Sequence, residues 1–464
     1  MLPLLEFAKK ALRKHHSRFY FPGHKGGQGL DPVWAEVLAE YQQLGKLDFP
    51  ELVGLWDAIA AAERLAAEAY GAKGSFFLVN GSTQGVQSAL LAVVKEGDRI
   101  LVGRNFHQSV LQGLILTGAK PIYLPVEYDR NWRIDLGVSP ATLRDYLKYY
   151  HSIKAVFLTS PNYFGVTGQL AELIAIAHRY RVPVIVDAAH GAHLGFHPDL
   201  PPSAIQCGAD IVIHSTHKTC SALSQASMLH WQGDLVSEEK ITQAVQTLQT
   251  TSPNFILLLS LDIARWQLQT RGKELLQYTL ELVGRIKEHP PLPVFHLDKG
   301  FDTTRVTVST KPLGLRGFQA DQYLSAWGVV CELPTFEHLV FSFSVGTTAE
   351  DVENLLRKMH RLFSVAKTSL GLPSLFVFCF TTCQTELTPR QAFFAPKERV
   401  DSQTAIGRIS GETICPYPPG IPVLMLGEKI APDVVRYLKL VKAAGGLIRG
   451  ASDPQLDTWL VLKE

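Results

Sequence analysis

From about residue 60 to residue 290, two apolar patterns alternate along the chain. Short continuous runs, SFFLVN (75–80), RILVGR (99–104), KPIYLPV (120–126), KAVFLTS (154–160), VPVIVDA (182–188) and ADIVIHS (209–215), read as strands. Between several of them lie segments with apolar positions every three to four residues, such as AIAAAERLAAEAYGA (58–72), TQGVQSALLAVV (83–94), SVLQGLILTG (109–118) and AELIAIAHRYR (171–181). Strands that are apolar throughout, alternating with helices, predict a mainly parallel sheet covered on both faces. Ligands of such sheets bind at the carboxyl ends of the strands.

After residue 290 the pattern changes. HPPLPVFHLDKG (289–300) reads as a proline-rich joint. Residues 293–365 read as a smaller α+β domain ending in the helix AEDVENLLRKMHRLF. A polar break, TTCQTELTPR (381–390), precedes a last region with the turn-rich stretch CPYPPGIPVLMLGE (415–428). At the other end, leucines and Phe7 at helical spacing among basic residues predict an amphipathic helix packed on the body.

Composition narrows the function classes. A chain of 464 residues can hold two or three domains and a large core. Lysine plus arginine total 45 against 43 acidic residues, so no electrostatic footprint for nucleic acid is present. No apolar run approaches the roughly 18 residues that a membrane span needs. Six scattered cysteines point to reduced thiols in a cytoplasmic protein. Cys379 and Cys383 have the wrong spacing for a zinc knuckle, and no metal site is expected.

Candidate chemistry gathers at strand ends. NGSTQG (80–85) combines glycines with a following helix N-terminus, which favours an anion such as phosphate. VPVIVDAAHGAH ends an apolar strand in Asp187, a carboxylate that is costly to bury without a cation or donor. His190, His193 and His197 follow it, but intervening glycines and a proline keep them from sharing one regular helical face. IHSTHKTCSA (213–222) places Lys218 just past the next strand, among hydroxyls of Ser215 and Thr216 and beside His217. A lysine and an aspartate at neighbouring strand ends suit pyridoxal 5′-phosphate (PLP): the lysine forms the Schiff base and the carboxylate keeps the pyridine nitrogen protonated. RNFHQSV (104–110) puts His107 where an imidazole could stack on a ring.

FPGHKGG (21–27), FFLVNGSTQG, RNFHQSV, DAAHGAH, STHKTCSALSQASMLH (215–230), TTSPN (250–254), AIGRISGE (405–412), YPPGIP (417–422) and the GE pair at 427–428 together resemble the Orn/Lys/Arg decarboxylase family, in the family's motif order and over nearly the whole chain. The resemblance is to its shorter, biosynthetic-type members without a wing domain. It implies a PLP-dependent fold type I large domain with a mainly parallel seven-stranded sheet, plus smaller α+β C-terminal domains. The implied divisions are an arm and helix over 1–56, a PLP-binding domain over 57–290, a small α+β domain over 291–365 and a C-terminal family domain over 366–464. Lys218 resembles the Schiff-base lysine, Asp187 the partner of the pyridine nitrogen, His107 the ring-stacking histidine and Ala189 the small residue on the opposite ring face. His190 matches the position near the cofactor's 3′-oxygen, and Ser82, Thr83, Ser215 and His217 match the phosphate cradle. Thr251 and Ser252 resemble a loop reaching the neighbouring subunit's site, which implies a homodimer or higher homo-oligomer.

The implied reaction is decarboxylation of a basic amino acid for polyamine biosynthesis, arginine to agmatine first and lysine or ornithine next. Asp48, Glu51, Glu332 and Glu428 are candidates for gripping the substrate's distal cation. Departures fall where substrate could be read: Gln108 stands in a usual His-Lys-Ser run, Asp48-Phe49-Pro50-Glu51 replaces Asp-x-Thr-Glu, and Trp56 follows a shortened loop. Asp187-Ala188-Ala189-His190 replaces the common Asp-Glu-Ala-His. In Pro161-Asn162-Tyr163-Phe164-Gly165, Asn162 is similar to an asparagine of aminotransferases. Transamination, or a PLP-binding but silent paralogue, are the alternatives these positions raise.

Overall fold

The computed structural model describes residues 16–41, 54–288, 293–366, 385–417 and 420–463. The proposed N-terminal helix, Asp48, Glu51, Cys379 and Cys383 lie outside these residues.

Seven strands form the central sheet: β1 (Gly74–Leu78), β2 (Arg99–Gly103), β3 (Lys120–Leu124), β4 (Ile153–Thr159), β5 (Val184–Asp187), β6 (Ile211–His214) and β7 (Ser227–Trp231). Their order is β1-β7-β6-β5-β4-β2-β3, and β7 is antiparallel to both of its neighbours while the other pairs are parallel. Six of the seven coincide with the apolar runs read above; β7, SMLHW, lies inside a stretch read only for its motif. The period-2 alternation of a strand sends neighbours to opposite faces. Val184, Val186 and Val212 accordingly join one core cluster, whereas Ile185, Ile211 and Ile213 join the other.

The sheet's register brings the chemistry together. Thr159 at the end of β4 pairs with Asp187 at the end of β5, and Asp187 pairs with Ile213 of β6, three residues before Thr216. The short helix Thr216–Thr219 follows immediately and carries Lys218.

A 33-residue helix, Phe255–Lys287, begins against the helix Leu55–Tyr70 of the large domain and ends against Ala349–Val365 of the small one. It was not foreseen as a single element. The small domain holds an antiparallel sheet, ordered β8 (Arg305–Ser309), β10 (His338–Ser342) and β9 (Leu333–Pro334). The early strand Ser17–Phe19 also belongs here, paired in parallel with Val329–Cys331, with Phe19 fully buried in the small-domain core. The stretch expected to be a separate arm is therefore built into a domain that begins nearly 300 residues later.

The last region packs its own core around Trp459. Its helix Pro389–Phe394 lies on the helix Ser109–Thr117. A buried ion pair, Arg104 to Glu428 at 3.6 Å, and a hydrogen bond from Arg104 Nη1 to the Pro422 carbonyl at 2.7 Å tie it to the loop after β2.

The arm presses directly on the lysine-bearing helix. Gly23 N–H donates to the His217 carbonyl at 2.8 Å, and a Cβ at Gly23 would lie 2.5 Å from the Cys220 oxygen. Because that oxygen is backbone, Gly23→Ala should destabilise the fold by about 1–3 kcal/mol. Urea unfolding checks this, and an unchanged midpoint would mean the arm can lift away without cost.

Candidate active site

Loops at the carboxyl ends of β2, β4, β5 and β6 surround a cavity at the place where such sheets bind their ligands. Lys218, Asp187, His107, His190, Ala189 and Ser82 all border it. Asn105, Thr159, Asn162, Tyr163 and Ile421 complete the wall. Asn105 sits two residues before His107 and Thr159 two before Pro161, so position in a motif was their available signal. Ile421 comes from the YPPGIP turn, which neither pattern nor spacing could place.

Lys218 Nζ lies 3.2 Å from His190 Nε2 and 5.5 Å from the ring centres of both Phe21 and Tyr163. Burial lowers its pKa, and the Asp187 and Glu332 carboxylates oppose that shift. Asp187, 5% exposed, accepts a hydrogen bond from Ala189 N–H at 3.1 Å. Burial raises its pKa, against the pull of Lys218. Both shifts express the same cost of removing charge from water. His190 is buried, stays neutral for that reason, and leaves Nδ1 without a hydrogen-bond partner. The buried Thr159 hydroxyl lacks one as well.

His107 receives the Ser109 N–H on Nδ1 at 3.2 Å, which leaves the ring proton on Nε2. Ser215 donates to the Ser82 hydroxyl at 2.8 Å, and Ser82 stands in the first turn of the helix Gly81–Val93. Asn80 at the N-cap supplies no side-chain bond, and the Gly81 N–H donates to the Gln225 carbonyl at 2.9 Å, so the next first-turn N–H groups have no side-chain cap beside the two hydroxyls. Thr83 lies one residue further into that turn, without bordering the cavity. His217 does not border it either, and its Nδ1 lies 2.8 Å from the Ala226 carbonyl. It anchors the lysine helix to the loop before β7. Thr251 and Ser252 are exposed on a loop away from this wall. The clustered histidines serve separate partners: His193 Nε2 approaches Asp302 at 3.2 Å and His197 Nε2 approaches Gln277 at 3.0 Å.

Two candidates for the distal-cation contact have other partners. Glu428 is 1% exposed, faces Arg104 and accepts the Met425 N–H at 2.7 Å. Glu332 accepts the Phe21 N–H at 2.9 Å and does not border the cavity.

Sequence comparison agrees with this geometry. The profile of the Orn/Lys/Arg decarboxylase major domain matches residues 2–290, and that of the family's C-terminal domain matches residues 378–450. The chain belongs to the Orn/Lys/Arg decarboxylase family. It is 33% identical to an arginine decarboxylase of Bacillus anthracis, over 100% of this chain and 97% of the relative. An arginine decarboxylase of Bacillus subtilis is 32% identical over 98% and 97%. Among solved structures, the constitutive lysine decarboxylase of Escherichia coli superposes with a TM-score of 0.73 at 20% identity, covering 87% of this chain and 72% of that one, which is a likeness of fold.

The family site fits PLP on its own chemistry. An amine and a carboxylate share one cavity, with hydroxyls and a helix N-terminus at one end and, on the wall, His190, whose Nε2 meets the amine while its Nδ1 has no partner.

Burial holds His107 and His217 down to about 4 and His214 to about 3, against roughly 6.5 in an unfolded chain. Between those values the folded state binds fewer protons than the unfolded one, so these groups make stability fall as pH drops from about 6.5 toward 4. His107→Phe should remove up to about 1.4 kcal/mol per pH unit from that slope. Urea unfolding of apo-protein at pH 7 and pH 5 measures it; an unaltered slope would mean the imidazole is already charged in the fold.

Proposed function

We propose that the protein decarboxylates a basic amino acid with PLP, arginine to agmatine first and lysine or ornithine next, in polyamine biosynthesis. The observation that carries this is the pair Lys218 and Asp187 at neighbouring strand ends of one cavity, in a chain similar over its whole length to arginine decarboxylases.

PLP, when bound, supplies a protonated ring that accepts the electrons of the breaking bond. Lys218 would hold it through Nζ, and burial favours the neutral, nucleophilic form of that amine. Asp187 would keep the proton on the pyridine nitrogen. Ser82, Ser215 and the helix N-terminus would bind the phosphate, with Thr83 and His217 as supports. His107, neutral by burial, would lie on one ring face without repelling a cationic ring, and Ala189 would leave room on the other. His190 Nε2 can accept or return a proton at Lys218 Nζ across 3.2 Å.

Asn162 supports the family reaction over transamination. Its side-chain N–H donates to the Asp135 carbonyl at 2.8 Å, and its oxygen accepts from Phe164 and Val166 at 3.0 and 2.9 Å. The amide stitches the Pro161–Gly165 turn.

No helix among the described residues is long and apolar enough to cross a membrane. Cys207, Cys220, Cys331 and Cys415 are free thiols, which supports a reducing compartment such as the cytoplasm.

Purified protein given arginine should release carbon dioxide and agmatine in equal amounts with no oxo acid added, while Lys218→Ala should not, and borohydride should fix the cofactor only on Lys218. Turnover that requires 2-oxoglutarate and retains the carboxyl carbon would overturn the reading. We also infer that the exposed Ser252 completes a partner subunit's site in a homodimer. Mixing inactive Lys218→Ala and Ser252→Asp subunits, once exchange is verified, should then restore part of the activity; exchange without recovery counts against shared sites.

A further inference from the structure

The FPGHKGG segment is bound more tightly than a surface arm needs. Lys25 is 1% exposed, and its Nζ donates to the Tyr20 carbonyl at 2.7 Å and the Ser342 carbonyl of β10 at 2.9 Å. One residue on from Tyr20, Phe21 N–H donates to Glu332 at 2.9 Å. Ser344 Oγ donates to the Gly23 carbonyl at 2.6 Å. The peptide around Phe21 is thus held at Tyr20, Phe21 and Gly23 by three small-domain groups, two of which act through Lys25 and Glu332.

Phe21 itself faces the reacting centre. Its ring centre lies 5.5 Å from Lys218 Nζ, 5.3 Å from the Arg305 guanidinium and 5.3 Å from the His190 ring. Tyr163 borders Lys218 and His190 from the loop after β4. Two aromatic rings therefore border the Lys218 amine. Arg305, 1% exposed, is fixed by Nη1 to Ser342 Oγ at 2.7 Å, the same residue whose carbonyl receives Lys25.

We propose that Phe21 is the small domain's contribution to the reacting centre, an apolar wall beside Lys218, and that Glu332 is its positioning residue and not the acceptor of the substrate's distal cation. An aromatic face attracts an ammonium without offering it a counter-charge, and it excludes water where a carboxylate must lose its charge. Glu332 already stands among Lys218, Lys25 and Arg305, whose charges all favour its ionised form against burial. Burial nonetheless keeps its pKa raised, and because Glu332 does not border the cavity, a substrate cation there has no direct contact with it.

The inference rests on the decarboxylase reading for its kinetic arm only. Glu332→Gln should lower kcat about tenfold and change KM for arginine by less than about threefold, the size of one partly desolvated cation–aromatic contact. Phe21→Ala should do the same, and the double variant should be no worse than Phe21→Ala alone, since both changes remove one wall. The second arm needs no substrate: the pH at which bound cofactor changes its absorbance reports the proton at Lys218. Asp187, His190 and His107 border that region, and the charges of Arg305 and Glu332 and the His217 ring act on Lys218 from behind it, so each variant is compared with wild type under identical salt. Phe21→Ala should move that pH, and Glu332→Gln should move it partly through the lost carboxylate beside Lys218 and partly through Phe21, so the positioning role is the part of the Glu332→Gln shift that disappears in the Phe21→Ala background. If Phe21→Ala does not fold, Phe21→Leu takes its place, with a smaller shift in the same direction.

A KM for arginine raised tenfold or more by Glu332→Gln, with kcat intact and effects additive with Phe21, would instead assign Glu332 to the distal cation. Additive or absent spectral shifts would remove the positioning role. Loss of all decarboxylation with coupled spectral shifts would sink the reaction and leave the wall in place.

Discussion

A lysine ammonium and an aspartate carboxylate taken out of water each carry a desolvation cost of several kcal/mol, offset only by good partners. Lys218 and Asp187 are held in this condition by a sheet whose register ends β4, β5 and β6 at one level. The surroundings answer the cost unevenly. Asp187 has one backbone donor, and Lys218 has a neutral histidine and two aromatic rings. Such partial compensation shifts both groups toward their neutral forms, Lys218 by a lowered pKa and Asp187 by a raised one, the kind of perturbation that gathers at functional sites. A second group of buried charges, Lys25, Arg305 and Glu332, surrounds the first and joins the small domain to it.

The large domain was legible because its physics is local. A strand buried on both faces must be apolar at every position, and six runs showed that plainly. Lys218, Asp187 and Ser82 could be placed because each follows such a run directly. β7 escaped because SMLHW is short and lies within a segment whose polar residues drew attention. The strand Ser17–Phe19 escaped for a different reason: its partner, Val329–Cys331, is about 310 residues away, and no periodicity encodes a pairing at that separation. The same limit hid Phe21, Ile421 and Arg305 from the site. Glu428 shows the converse error. A glutamate after a turn reads as available until the arginine beside it in space is known.

His217 illustrates how a motif match can blur two kinds of role. It stands beside Lys218 and resembles a cradle residue, yet its ring is tied to the Ala226 carbonyl, so its closest structural duty is to hold the lysine's own helix. Residues adjacent in sequence on a four-residue helix point in different directions, and only one of them can face the cavity.

The walls of one cavity extend from the loop after β1 to Ile421, and Phe21 adds an earlier contact to its lysine. During synthesis, therefore, the central sheet can assemble while the pocket above it still lacks a side. Closing it requires loops of several hundred residues, whose entropic cost grows only slowly with length but whose contacts come last in time. Enclosure of the pocket therefore waits on the final region, which supplies Ile421. A chain stalled before residue 421 would hold a reactive lysine without the complete enclosure that controls it.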